Sequence, residues 1–212
     1  MRFMRIVLVL VTLAAVGGLA FLYLADAPVL RGVASPADRG TGGGSAAAEP
    51  GQFTPLDPPR PAPELSFAAR DGSPARLADF RGHWVLVNLW ATWCAPCLRE
   101  MPSLDRLQAM VGDRLAIVAV SQDRGGAPVV DPFLEQLRLT ALRIYLDPKG
   151  AAGRELAVRG LPTTFLLDGD GRIRAQLEGA AEWDSPGMHA AIERYLGNAG
   201  AAGGIKSSAE RS

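Results

Sequence analysis

Only two cysteines occur among the 212 residues, Cys94 and Cys97, separated by Ala95 and Pro96. At the start of a helix, thiols at this spacing can close and open one disulfide without moving the rest of a fold. The helix start supplies unpaired backbone N–H groups and the positive end of the helix dipole. Both favour a thiolate at the first cysteine and make it a nucleophile near neutral pH. Pro96 suits the first helical turn, where its missing N–H costs nothing. Three plainer readings compete. A structural zinc site usually needs four ligands, and the distant His83 and His189 are poor additions. A permanent disulfide across so short a loop adds little stability. Two inert buried thiols would need neither the Trp93 that precedes them nor the proline between them. Redox exchange is the stronger reading.

The elements that must position this pair can be read on either side of it. Val85–Trp90 is an apolar run rich in β-branched and aromatic residues, the mark of a buried strand. Helix formers follow from Ala95 to about Met110, with a kink expected at Pro102. Leu115–Val120 reads as a second buried strand, 126–138 as a helix, Leu142–Leu146 as a third strand and Ala151–Val158 as a short helix. Thr163–Leu167 and Ile173–Leu177 form a hairpin around Gly169-Asp170-Gly171, and Met188–Leu196 a closing amphipathic helix. Upstream, Glu64–Ala69, the Asp71-Gly72 turn and Pro74–Leu77 suggest a short β-hairpin. Parallel strands joined through helices and followed by a hairpin make an α/β sandwich.

The remainder of the chain carries addresses rather than chemistry. Met1–Arg5 sets two positive charges before an uncharged apolar run, Ile6 to Leu24. Nineteen helical residues at ~1.5 Å each span roughly 28 Å, close to the hydrocarbon core of a bilayer. Ala25-Asp26-Ala27 imitates a signal-peptide cleavage pattern, but the apolar stretch is longer than the usual ~7–15 residues and Pro28 would follow the cut. Residues 1–25 are therefore expected to be a transmembrane anchor, or else a signal sequence. The flanking arginines place everything after Leu24 outside the cytoplasm. Half of the sixteen prolines fall between Pro28 and Pro63, and 26–63 reads as a flexible linker. The folded domain is expected over 64–196, with a disordered Gly/Ala/Ser-rich tail over 197–212. Twenty-two basic residues balance twenty-two acidic ones, and no basic patch argues for nucleic acid.

The string Val87-Asn88-Leu89-Trp90-Ala91-Thr92-Trp93-Cys94-x-Pro96-Cys97-x-x-Glu100-Met101-Pro102 resembles the membrane-anchored TlpA/ResA-type thiol–disulfide oxidoreductases of bacteria, within the thioredoxin-like superfamily. Leu77–Gly82 and Glu178–Ser185 also look TlpA-like. The resemblance implies a thioredoxin-like three-layer sandwich with a central mixed sheet and an N-terminal β-hairpin extension. It makes Cys94 the attacking thiolate and Cys97, wound inward by the helix, the resolving thiol. Glu100, one helical turn after Cys97, becomes a proton-handling carboxyl with a raised pKa. Thioredoxins carry an aspartate where this chain has Asn88, so Glu100 stands alone in that task. Gly160–Phe165 is similar to the cis-proline loop: Leu161 and Pro162 would face the cysteines and pair with an extended substrate, beside Trp93 and Pro96. Trp90 and Trp183 are assigned to packing.

As a function, the resemblance implies a protein-disulfide reductase held by its anchor in the inner membrane, with its catalytic domain in the periplasm. Strong oxidants of the superfamily often carry histidine between the cysteines, and Ala95-Pro96 offers none. An oxidising periplasm requires a transmembrane electron donor of the CcdA or DsbD type. The implied substrates are apocytochrome c, with its haem-binding cysteines, or copper-site proteins of cytochrome oxidase assembly. No metal or cofactor is expected. Two other readings stay open. One is a copper-binding assembly factor using Cys94, Cys97 and Met101; the other is a general periplasmic disulfide oxidant.

Overall fold

The computed structural model describes residues 52–202. The expected anchor, the linker up to residue 51 and the tail from 203 lie outside the described residues. Eight strands form one mixed sheet: β1 (Thr54–Pro61), β2 (Ser66–Ala69), β3 (Pro74–Arg76), β4 (Trp84–Trp90), β5 (Leu115–Ser121), β6 (Arg143–Leu146), β7 (Thr163–Leu167) and β8 (Arg172–Glu178). Their order across the sheet is β1-β8-β7-β4-β5-β6-β2-β3. Four helices accompany them: α1 (Ala95–Val111), α2 (Ala127–Leu137), α3 (Ala151–Glu155) and α4 (Pro186–Ala202). Among these helices none is long and apolar enough to cross a membrane.

The apolar run of β4 occupies the middle of the sheet because it is flanked on both sides. It pairs in parallel with β5, Val87 opposite Val118, and antiparallel with β7, Val87 opposite Phe165. Such a strand must be apolar on both faces, and it is. Val85, Val87 and Leu89 join a core closed by α3, Leu77 and Phe80. Leu86 and Trp90 face α1, α2 and α4, where Leu104, Leu107, Val130, Leu134 and Ile192 cover them. Asn88 is the one polar residue in this run, and it is fully buried. Its surroundings decide the chemistry described below.

Two boundaries differ from the expectation. Residues 54–61 were read as linker but form β1, paired antiparallel to β8 through Thr54–Gln176 and Arg60–Ile173. A proline-rich segment suits this place: at a sheet edge a missing N–H can face away from the ladder, and the pairing shifts register between Pro55 and Arg60. At the other end α4 runs to Ala202, past the Leu196 limit and into the stretch read as tail. The alanines of that stretch are good helix formers, which Gly197 and Gly200 do not overcome. The N-terminal hairpin forms as expected, with β2 also pairing to β6 and thereby capping the edge opposite β1.

Candidate active site

Cys94 and Cys97 form a disulfide at the junction of β4 and α1. Cys94 is the N-cap residue: its backbone is extended, and its Sγ accepts the Cys97 backbone N–H at 3.3 Å. Pro96 occupies the first turn of α1. In the reduced state this N–H and the helix dipole would stabilise a Cys94 thiolate. Cys94 keeps slight exposure and Cys97 none, so Cys94 is the more accessible sulfur of the pair. Trp93 beside it is 71% exposed, the most exposed large apolar side chain in the described fold.

The turn carrying the pair is anchored from β5. Asp123, buried just past the end of that strand, accepts the Thr92 backbone N–H at 2.9 Å and the Thr92 hydroxyl at 2.7 Å. The Ser121 hydroxyl donates to the same carboxylate at 2.8 Å. The carboxylate thus fixes Thr92, two residues before the nucleophile. Nothing in the local sequence marked Asp123, because its partner lies thirty-one positions away in the chain.

Opposite the cysteines, the Leu161–Pro162 peptide bond is cis and opens β7. The loop is tied at both ends. The Thr163 hydroxyl donates to the Gly160 carbonyl at 2.7 Å, and the Gly179 N–H donates to the Pro162 carbonyl at 3.0 Å. Gly179 sits at φ +86°, a left-handed conformation that a side chain would strain. Leu161 packs against the same cluster as Trp90, Cys94 and Cys97.

Glu100 is 1% exposed, on the turn of α1 that follows Cys97. Its Oε1 accepts Asn88 Nδ2 at 2.9 Å. Its Oε2 accepts the Trp183 indole N–H at 3.0 Å and the Ala181 backbone N–H at 3.1 Å. Burial pushes the carboxyl up to about 7, against the pull of the bonds from Asn88, Trp183 and Ala181. A carboxyl with that affinity can accept a proton at neutral pH and return it. Trp183, expected only to pack, is fully buried and also holds the carboxylate; its backbone N–H bonds the Ser103 hydroxyl at 3.1 Å. The sequence signal for it is the TlpA-like Glu178–Ser185 stretch, which names the tryptophan but not its partner. Met101 is fully buried in the core behind Cys97, and among the described residues no cluster of three or more His, Cys, Asp or Glu is arranged for a metal ion.

Comparison with known proteins agrees with this geometry. The AhpC/TSA family model matches residues 58–176. The chain is 38% identical over 115 residues to the thioredoxin-like protein YneN of Bacillus subtilis, covering 53% of this chain and 66% of that one. It is 36% identical over 121 residues to the thiol–disulfide oxidoreductase ResA of Geobacillus thermodenitrificans, covering 56% and 67%. The chain thus spans about two thirds of the length of these curated relatives. Among solved structures, a DsbE-type thiol:disulfide interchange protein from Chlorobium tepidum superposes with a TM-score of 0.59 at 31% identity, over 66% of this chain and 99% of the other.

Proposed function

Since the chain belongs to the AhpC/TSA family and is a thiol–disulfide oxidoreductase of the TlpA/ResA type, we propose that it works as a membrane-tethered reductant on the periplasmic side of the inner membrane. Both cysteines of this chain sit in one Cys94–Cys97 pair, and no third cysteine stands apart from it to serve as a peroxide-reactive thiol. The cycle then needs only the dithiol and Glu100. The Cys94 thiolate attacks a substrate disulfide; a Cys94–substrate bond forms and the substrate S–S bond breaks, its first sulfur leaving as a thiolate that takes a proton. Cys97 gives its proton to Glu100 and attacks Cys94 Sγ. The Cys94–Cys97 disulfide forms, the second substrate sulfur leaves, and two electrons have passed to the substrate.

The observation that carries the direction of flow is the pairing of a neutral Ala95-Pro96 bridge with a proton-accepting Glu100. No cation lies between the cysteines to add to the stabilisation that the helix start gives the Cys94 thiolate, so the reduced state gains nothing further. Resetting the pair requires a dithiol donor, and for an anchored periplasmic domain a transmembrane CcdA- or DsbD-type protein fits. Exposed cysteine pairs are the matching substrates: those that bind haem in apocytochrome c, or copper in cytochrome oxidase assembly proteins. Equilibrating the full chain with dithiothreitol tests the proposal. A potential near thioredoxin's ~−270 mV supports it, and one near ~−120 mV overturns it in favour of disulfide donation.

A further inference from the structure

Glu100 uses its two oxygens differently. Oε2 receives the Ala181 backbone N–H and the Trp183 indole N–H. Both groups donate only, so neither can accept a hydrogen bond from a protonated oxygen. A proton arriving at the carboxyl therefore belongs on Oε1. There it meets Asn88 Nδ2 at 2.9 Å, another donor. The second proton of that amide goes to Thr164 Oγ1 at 3.0 Å. The Asn88 Oδ1 is buried and has no hydrogen-bond partner among the described residues.

This arrangement suits the carboxylate and fails the carboxylic acid. Half a turn of the Asn88 amide about its last side-chain bond resolves the failure, because amide oxygen and nitrogen have nearly the same shape. Oδ1 then lies where Nδ2 lay and accepts Glu100 Oε1–H. The Thr164 hydroxyl, which can donate as readily as accept, turns its proton to the same oxygen. Either orientation leaves one end of the amide unpaired, as Oδ1 is now, so the proton on Glu100 decides between them. We propose that Asn88 and Thr164 form a rotating hydrogen-bond relay that gives Glu100 Oε1 a donor when the carboxyl is ionised and an acceptor when it is protonated.

The surroundings leave this choice to Glu100 alone. Strands β4 and β7 bring no charged side chain to the site. On α1, Arg99 is exposed and Arg106 is paired with Asp184 of the β8–α4 connection at 2.6 Å. Glu182 of that connection is exposed, and Glu178 at the end of β8 pairs with Arg159. The Ser103 hydroxyl bonds the Glu100 backbone carbonyl rather than its carboxyl. The nearest reactive group on the same helix face is Cys97, one turn before. Asn88 is thus a positioning residue for the proton step, and the inference rests on Glu100 being the acceptor of the Cys97 proton.

The sequence makes the test selective: Asn88 and Asn198 are the only asparagines. In the oxidised full chain, labelled with nitrogen-15 asparagine and carbon-13 glutamate, the Asn88 NH₂ pair and the Glu100 carboxyl can be followed together from about pH 5 to about pH 9. Cross-relaxation from the Asn88 NH₂ protons to the Thr164 methyl and the Glu100 methylene is expected to fall several-fold on acidification, with the midpoint of the Glu100 carbon. An unchanged Asn88 pattern through a Glu100 transition near pH 7 overturns the relay while leaving the proton acceptor standing. A Glu100 carbon with no transition between these limits overturns both. Asn88→Leu, which can neither donate nor accept, provides a second reading. A rotating amide supports both states, so its loss shifts the Glu100 ionisation constant less than about threefold. A fixed donor supports only the carboxylate, and a tenfold or greater weakening of acidity on its loss refutes the rotation.

Discussion

Glu100→Gln keeps the shape of the side chain and removes its charge, so it isolates the cost of burying that charge. In the folded chain the carboxyl holds its proton up to about pH 7, against an ordinary value of 4.5. Between these limits the folded state binds more protons than the unfolded chain, and stability falls as pH rises. The penalty is absent below 4.5 and complete once the pH has passed the folded value near 7. At about 1.4 kcal/mol per pH unit, it amounts to roughly 3 kcal/mol at alkaline pH. Glutamine carries no such penalty, and its carboxamide oxygen can still accept from Ala181 and Trp183. The stability of E100Q relative to the parent should therefore improve by about 3 kcal/mol between acid and alkaline pH. Urea unfolding of the oxidised full chain at about pH 4.5 and about pH 8.5, followed by tryptophan fluorescence, measures this directly. A difference that stays constant within about 1 kcal/mol across the window would refute the argument that burial, rather than any hydrogen bond, sets the proton affinity of Glu100.

Two further outcomes follow from the site. The rate at which Cys97 resolves a mixed disulfide should rise through the Glu100 transition near pH 7 and level off above it. In E100Q that inflection is lost and the neutral-pH rate falls about 100-fold, as stopped-flow release of a chromophoric thiol would show. An inflection preserved in the variant would exclude Glu100 as the base. Asp123→Ala strips the Thr92 amide, the Thr92 hydroxyl and the Ser121 hydroxyl of their common acceptor. It should cost about 3 kcal/mol in chemical unfolding and slow the attack by Cys94, with Asp123→Asn restoring part of both.

What the sequence reveals of this site divides along a physical line. The helix and strand that carry the cysteines are legible because their cause is local: β-branched and aromatic residues in Val85–Trp90, then a cysteine N-cap and a first-turn proline. Glu100 is legible only through the resemblance: helix periodicity sets it one turn from Cys97, but without the TlpA/ResA-type motif it would read as a solvated helix glutamate. Its partners are another matter. Trp183 and Ala181 reach the carboxyl from more than eighty positions away, and a long-range hydrogen bond leaves no periodic trace. Asp123 is hidden for the same reason. The misreading of 54–61 has a different origin. Proline content argued against a strand, but the penalty for a missing N–H disappears where one side of the strand has no neighbour, and edge position is a property of the whole sheet.

The placement of the acid on α1 rather than on β4 has a consequence for what holds it. A carboxyl on the strand would be held by the sheet alone. Glu100 is held by the connection between β8 and α4, through the Ala181 amide and the Trp183 indole. That same connection begins at Gly179, whose N–H bonds the Pro162 carbonyl in the loop opposite the cysteines. A single residue, Ala180, therefore separates the anchor of the Pro162 loop from the first donor that holds the Glu100 carboxyl. The Phe53 ring packs edge-on against Trp183 at 6.1 Å, tying the entry of β1 to the same indole. The bonds from Ala181 and Trp183 favour the ionised carboxyl, so they work against the burial that raises its proton affinity. The short segment 179–183 thus carries both the bond that anchors the Pro162 loop and the two donors that hold Glu100 Oε2, so the loop and the carboxyl share one support.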